Sequence, residues 1–149
     1  MENRIRVNSG IVVEVNDNGE TIIINAEDKT FIERLFGLMD RFDAFADKMS
    51  GEEVKKLNDR ERLKVDIAET KEIMAEIDAI FGEETCRKVF GNIVPNQYLI
   101  ADFFDQMVPI AEQYMDVRQK EIAKKYSSKR KGSRSKYRTK DEIIQDAMR

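Results

Sequence analysis

The sequence predicts a mainly α fold, a helical bundle of about four helices with a small N-terminal antiparallel β-hairpin. Apolar residues alternate with polar ones near the N-terminus, which is the period of a strand, and recur at helical spacing after Asp28. Only two prolines occur in 149 residues, which favours long helices. A chain of this length with 41% hydrophobic residues can form one domain with a core, which we place at 1–126.

The hairpin is predicted within residues 5–25. Apolar residues alternate at Ile11, Val13, Val15, Ile22 and Ile24. A two-residue turn at Asn18-Gly19 would pair Val15 with Ile22 and Val13 with Ile24 on one face. Ile5 and Val7 are candidates for a third strand.

The first helix is predicted to follow the hairpin and to carry an apolar stripe. The stripe consists of Phe31, Leu35, Leu38, Phe42, Phe45 and Met49. Its N-cap is either Asp28 or a capping box of Thr30 and Glu33, and Ser50-Gly51 ends it. A second helix is predicted to begin at Ser50, where Glu53 completes another capping box, and to end near Gly82.

The C-terminal half is predicted to contain a short helix and a long one. Glu83–Phe90 forms the short helix, which Gly91 ends, and the long helix runs over Tyr98–Tyr126. Pro109 either kinks the long helix or marks the junction of two helices, because proline lacks the N–H that the helix needs. Residues 127–149 read as a basic, flexible arm whose end carries a small apolar face at Ile143, Ile144, Ala147 and Met148.

Charge is segregated along the chain. Residues 1–117 carry a net charge of −11, residues 118–140 carry +10, and the last nine residues carry −2. The net charge of −3 therefore conceals an acidic body and a basic arm.

The composition argues against an enzyme, a metal site or a bound cofactor. The chain has no histidine, so the commonest general base and the imidazole metal ligand are absent. It also has a single cysteine and no phosphate-binding glycine loop. We expect Cys86 to be a small buried apolar residue. The sequence opens without a secretory leader and has no apolar run long enough to span a membrane, so we expect cytosolic residence.

The predicted partner-binding residues lie on the last helix and the arm. They are Tyr98, Phe103, Phe104, Met107, Ile110 and Tyr114, with Lys129, Arg130, Lys131 and Arg134. The helix is apolar over more than one stripe, which is typical either of a central helix or of an interface. The arm fits an acidic protein partner or a neighbouring copy, a nucleic acid, or simply a solubilising tail.

The chain resembles the tail assembly chaperones of long-tailed phages and prophages of Gram-positive bacteria. The resemblance rests on FGEETCRKVFG at Phe81–Gly91, Pro95, the run at Asp102–Tyr114, the Lys/Arg-rich terminal segment, and the hairpin that leads into TFIERLF. It implies a non-enzymatic helical protein of the host cytoplasm that is absent from the mature virion. Such chaperones bind the tape measure protein and recruit the major tail tube protein.

The resemblance assigns no site residue and leaves self-association open. A small phage or bacterial regulator that binds nucleic acid through its arm is the alternative, although the acidic body would repel a polyanion. A structural component of the virion is a further alternative.

Overall fold

The computed structural model describes residues 3–7 and 10–113 together with Glu121 and Lys124. Within them, two strands and five helices follow in order. These are β1 (Ile11–Glu14), β2 (Thr21–Ile24), α1 (Lys29–Met49), α2 (Glu52–Lys55), α3 (Asp59–Phe81), α4 (Thr85–Phe90) and α5 (Gln97–Glu112). The predicted class, mainly helical with an N-terminal antiparallel hairpin, is confirmed. The proposed domain boundary at residue 126 and the arm lie outside the described residues.

The hairpin forms, but its predicted register is wrong by two residues. Val13 lies opposite Ile22 and Ile11 lies opposite Ile24. The shift arises in the turn, where the Asn16 side chain accepts hydrogen bonds from the backbone N–H groups of Asn18 (2.9 Å) and Glu20 (3.2 Å). A shift by an even number of residues keeps the same side chains on the core face.

The turn depends on Gly19, and the expected third strand does not form. The N–H of Gly19 donates to the Asn16 carbonyl, and Gly19 has a φ of +78°, a value that favours glycine. Residues 3–7 have no strand structure, and Ile5 and Val7 are 92% and 83% exposed. The sheet of the described residues therefore has two strands.

Helix α1 is flanked by Asp28 at its N-terminus and by Ser50 at its C-terminus. The Asp28 carboxylate accepts the N–H of Thr30 at 2.9 Å, so Asp28 is the N-cap and Thr30 lies inside the helix. At the other end, the Ser50 hydroxyl donates to the carbonyls of Ala46 and Asp47. Ser50 thus caps the C-terminus of α1. A helix does begin after it, but its N-cap is Gly51, so the predicted capping box of Ser50 and Glu53 is wrong.

The long helix that was predicted to begin at Ser50 is α3, and its N-cap is Asn58. Its side-chain oxygen accepts the N–H of Glu61 at 2.8 Å. The single-turn helix α2 occupies the space between Ser50 and this cap. The sequence favours Ser50 over Asn58 as the cap because the Ser50–Glu53 spacing matches a capping box that the fold does not use.

The connection from α3 to α4 is a tight, hydrogen-bonded turn. The Asp78 carboxylate accepts the backbone N–H of Cys86 at 2.9 Å, and the Thr85 hydroxyl donates to the carbonyl of Gly82 at 2.7 Å. Helix α4 then ends at Gly91, as predicted. These two hydrogen bonds fix the position of the start of α4 relative to the end of α3.

Helix α5 passes through Pro109 without ending there. Its N-cap is Asn96, whose side chain accepts the N–H of Leu99 at 3.0 Å. The alternative of two helices meeting at Val108-Pro109 is therefore wrong. The predicted continuation to Tyr126 lies outside the described residues, apart from Glu121 and Lys124, which are helical.

The core lies where α1, α3 and α5 meet beneath the hairpin. Fully buried side chains include Leu35, Leu38, Met39, Ile73, Ile77, Ile100 and Phe104. Phenylalanine rings meet edge to face, with centroids 5.4 Å apart for Phe31–Phe81 and 5.3 Å apart for Phe81–Phe103. On the surface, Lys48 of α1 contacts Glu69 of α3, and Arg41 contacts Glu72 and Glu76.

Candidate functional site

An open groove of about 370 Å³ lies between the hairpin, α4 and α5. Its lining is mainly apolar: Val13, Val15, Ile22 and Ile24 from the hairpin region, Val89 and Phe90 from α4, and Leu99, Phe103, Met107 and Ile110 from α5. The same surface includes Glu14, Asp102 and Gln106. An apolar concavity with a few polar groups around it is typical of a binding site.

The hairpin side of the groove is held to α4 by polar contacts. Arg87 pairs with Glu20 at 2.7 Å, and the Asn16 side-chain N–H donates to the Lys88 carbonyl at 3.1 Å. The Lys88 ammonium donates to the Thr21 carbonyl at 3.2 Å. These contacts set the spacing between the hairpin and α4.

The ion pair affects the ionisation of both partners. The hydrogen bond from Arg87 is the main reason that the pKa of the Glu20 carboxyl lies below its ordinary value. The same bond, with a second that Arg87 donates to the Glu84 carboxylate, raises the pKa of the Arg87 guanidinium. The pairing therefore favours the charged form of both groups at neutral pH.

The structure brings three of the predicted partner-binding residues together in the groove. Phe103, Met107 and Ile110 line it. Phe103 and Met107 are 8% and 3% exposed, so they form its floor, whereas Ile110 is half-buried. A partner would reach the floor through the opening and would contact more exposed side chains first.

The remaining predicted residues fall elsewhere. Phe104 is fully buried in the core and packs edge to face on Phe42, so it is not a surface residue. Its position follows from helical periodicity, which cannot tell an interface from a core stripe. Tyr98 is half-buried and lies outside the groove lining. Tyr114, Lys129, Arg130, Lys131 and Arg134 lie outside the described residues.

Sequence reasoning missed the hairpin and α4 walls of the groove. The alternation of the hairpin placed Val13, Ile22 and Ile24 on one face, which is a correct signal, but it could not reveal that α5 lies opposite part of that face. Leu99 was also missed as a site residue. It is 39% exposed, which makes it the most accessible apolar side chain that α5 contributes to the lining.

A second, more open cavity lies beside Cys86, between α3 and the segment after α4. Cys86 is 3% exposed, and its thiol donates to the Met74 carbonyl with a separation of 3.4 Å. Burial, followed by the nearby Asp78 carboxylate, raises the pKa of the Cys86 thiol to about 12. The thiol is thus protonated at neutral pH and is a weak nucleophile.

Among the residues that the structure describes, no three His, Cys, Asp or Glu side chains are grouped as metal ligands would be. None of the helices described there has both the length and the apolar character that crossing a membrane requires.

The chain matches a model of a protein family. Residues 18–140 match the model of a family of unknown function, DUF6673. The matched region begins in the hairpin turn, includes all five helices and extends through most of the basic segment. Neither the curated proteins nor the solved structures gave a match.

Proposed function

Because the chain belongs to the family of unknown function DUF6673, its role must be inferred from its own residues, and we propose that it is a phage tail assembly chaperone. In this proposal it acts without catalysis in the cytoplasm of the bacterial host. It binds the tape measure protein, recruits the major tail tube protein around it, and is absent from the mature virion. The sequence resemblance supplies the identity of these partners.

The observation that carries the proposal is the apolar groove between the hairpin and α5. Its floor is formed by Phe103 and Met107, and Leu99 and Ile110 give it accessible apolar sides. A groove of this kind suits a helix that inserts apolar side chains at i, i+3 and i+4. A tape measure protein is a long helix with exposed apolar stripes, and covering those stripes would keep it soluble.

The composition of the groove suits a chaperone that must bind many similar segments. Methionine has three rotatable side-chain bonds and adapts to differently shaped partners, and Met107 lies in the floor. Apolar contact without a dense set of hydrogen bonds gives little sequence selectivity. A long helical partner could thus bind several copies of the chaperone along its length.

The test is co-expression with the tape measure protein of the same gene cluster. We expect the wild-type chain to raise the soluble fraction of the tape measure protein and to co-purify with it. Leu99→Asp should abolish both effects, because it puts a charge at the accessible apolar side of the groove. Leu63→Asp is the matched control, since Leu63 is also exposed (58%) but lies on α3, outside the groove lining.

Two results would contradict the proposal. One is a tape measure protein whose solubility does not change with the wild-type chain. The other is equal loss of activity in Leu99→Asp and Leu63→Asp, because the groove would then have no particular part in binding. Circular dichroism of both variants shows whether either has lost its helices.

A further inference from the structure

We propose that the C-terminal segment of the chain, residues 136–149, occupies the groove and competes there with the partner. This inference rests on the proposed function only for the role of the groove. It adds regulation of that site by the chain itself. Three observations carry it: the charge of the groove, the composition of the segment, and the point at which the chain leaves α5.

The groove is suited to a ligand that is both apolar and cationic. Its floor is apolar, and the two charged residues among those that line it, Glu14 from β1 and Asp102 from α5, are both acidic. Among the described residues that line it, none is Lys or Arg. Carboxylates beside an apolar surface favour a segment that presents an apolar cluster next to positive charge.

Residues 136–149 have that composition. Lys136, Arg138 and Lys140 precede an apolar cluster of Ile143, Ile144 and Met148. The spacing of the apolar residues places them on one face if the segment is helical. In the groove, this cluster would cover the floor and the basic residues would lie towards Asp102.

The connection to α5 allows the segment to reach the groove. Ile110 lines the groove in the last turn of α5, which ends at Glu112, so the chain leaves the helix beside the site. Residues 114–135 connect α5 to the segment, and a chain of that length spans about 33 Å even when it is helical throughout. The α5 side of the groove, from Leu99 to Ile110, is only about 17 Å long. Tethering raises the local concentration to the order of millimolar, so a weak contact suffices for occupancy.

The experiment is paramagnetic relaxation in the full chain. A nitroxide is attached at Gln145→Cys, beside the apolar cluster, and methyl signals are recorded with the label oxidised and reduced. Cys86 need not be removed, because it is buried and its pKa is raised. We expect the methyl signals of Val13, Leu99 and Ile110 to lose most of their intensity, while that of Leu63 on α3 is retained.

Two variants of the labelled chain test the cause of the effect. Ile143→Asp/Ile144→Asp should restore the groove signals, because it places two charges in the apolar cluster. Ser127→Asp/Ser128→Asp adds the same charge outside the segment, without removing an apolar side chain, and should leave the broadening unchanged. Undiminished Leu99 and Ile110 signals in the labelled wild-type chain would overturn the inference.

A mixing experiment separates this arrangement from binding by a second copy. Labelled chain without isotope is mixed with isotope-labelled chain that carries no nitroxide. Broadening in the mixture would show that the segment of a neighbouring copy is the occupant, which would overturn the intramolecular assignment. Because neither measurement contains the tape measure protein, the result does not depend on whether the chaperone proposal succeeds.

Discussion

Arg87 of α4 and Glu20, which immediately precedes β2, form an ion pair 2.7 Å long that joins the hairpin to the helices. The two residues are far apart in sequence, and Arg87 also contacts Glu84 at 3.1 Å. Arg87 therefore connects the turn before α4 with the turn before β2. This contact links the position of the hairpin wall of the groove to the position of the α4 wall.

Acidification should weaken this connection. The folded-state pKa of Glu20 is lower than its ordinary value of 4.5, chiefly because of Arg87. The stabilisation is therefore present above pH 4.5 and is lost as the pH falls through the lower folded-state value. We expect amide exchange in β2 to accelerate on acidification, relative to the intrinsic exchange rate, and this acceleration to disappear in Glu20→Gln.

Glu83→Gln provides the control for that measurement. Glu83 is exposed and belongs to the same turn before α4 as Glu84. The Glu83→Gln substitution should leave the pH dependence of amide exchange in β2 unchanged. The same pH dependence in Glu20→Gln as in the wild type would contradict the assignment of this effect to Glu20.

Truncating a core residue of α3 should be costly, whereas truncating an exposed one should not. Ile73 is fully buried, and Ile73→Ala should lower the free energy of unfolding by about 2–5 kcal/mol through lost burial and a cavity. Leu63 on the same helix is 58% exposed, and Leu63→Ala should change the free energy of unfolding by less than about 0.5 kcal/mol. Urea denaturation measures both, and equal effects would contradict the packing described.

Removing the cap of α3 should destabilise the protein moderately. Asn58→Ala deprives the N–H of Glu61 of its acceptor and should cost about 1 kcal/mol. Asn58→Ser keeps a side-chain oxygen that can accept this N–H and should retain most of the stability. Thermal denaturation of the two variants checks this, and a loss as large in Asn58→Ser as in Asn58→Ala would show that capping is not the cause.

The Cys86 thiol should be unreactive until the protein unfolds. Its pKa is raised to about 12, from an ordinary 9.0, mainly by burial. At pH 8 the thiolate fraction should be lower by roughly 1,000-fold than in the unfolded chain, and burial also blocks the reagent. Titration with a thiol-specific chromogenic disulfide should give slow reaction in buffer and fast reaction in urea. Rapid reaction in buffer would contradict the buried position.

The same group makes stability depend on alkaline pH. A folded-state pKa above the unfolded value means that the contribution of Cys86 is fully present below pH 9.0 and decreases as the pH rises towards 12. Cys86→Ala removes the ionisable group and should flatten this part of the pH profile of unfolding. Guanidinium titrations between pH 8 and pH 10 measure the difference, and parallel profiles would contradict the assignment.

The elements of this fold were predictable where one residue pattern was sufficient. The alternation before Asp28 and the 3–4 spacing after it identified the hairpin and α1, and Gly91 marked the end of α4. The register of the hairpin was not predictable, because it depends on two hydrogen bonds to the side chain of Asn16. Ser50 similarly fits either end of a helix, and only its contacts with Ala46 and Asp47 decide between them.

The candidate site was predictable only in part, for a physical reason. Helical spacing identified the apolar residues of α5, including Phe103, Met107 and Ile110. It could not separate Phe104, which faces the core, from its neighbour Phe103, which forms the floor of the groove. That distinction depends on where the hairpin lies over α5, and contacts remote in sequence, such as Asn16 with Lys88, fix this position.

The geometry of the hairpin also gives the protein a defined order of mechanical failure. A force applied between the N-terminus and α1 pulls apart the open end of the hairpin, where β1, a four-residue strand, is paired antiparallel with β2. The hydrogen bonds between the strands then break one after another, so β1 should separate from β2 at low force. The interlocked side chains of α1, α3 and α5 would yield later, and the floor of the groove would be uncovered while the helical core is still intact.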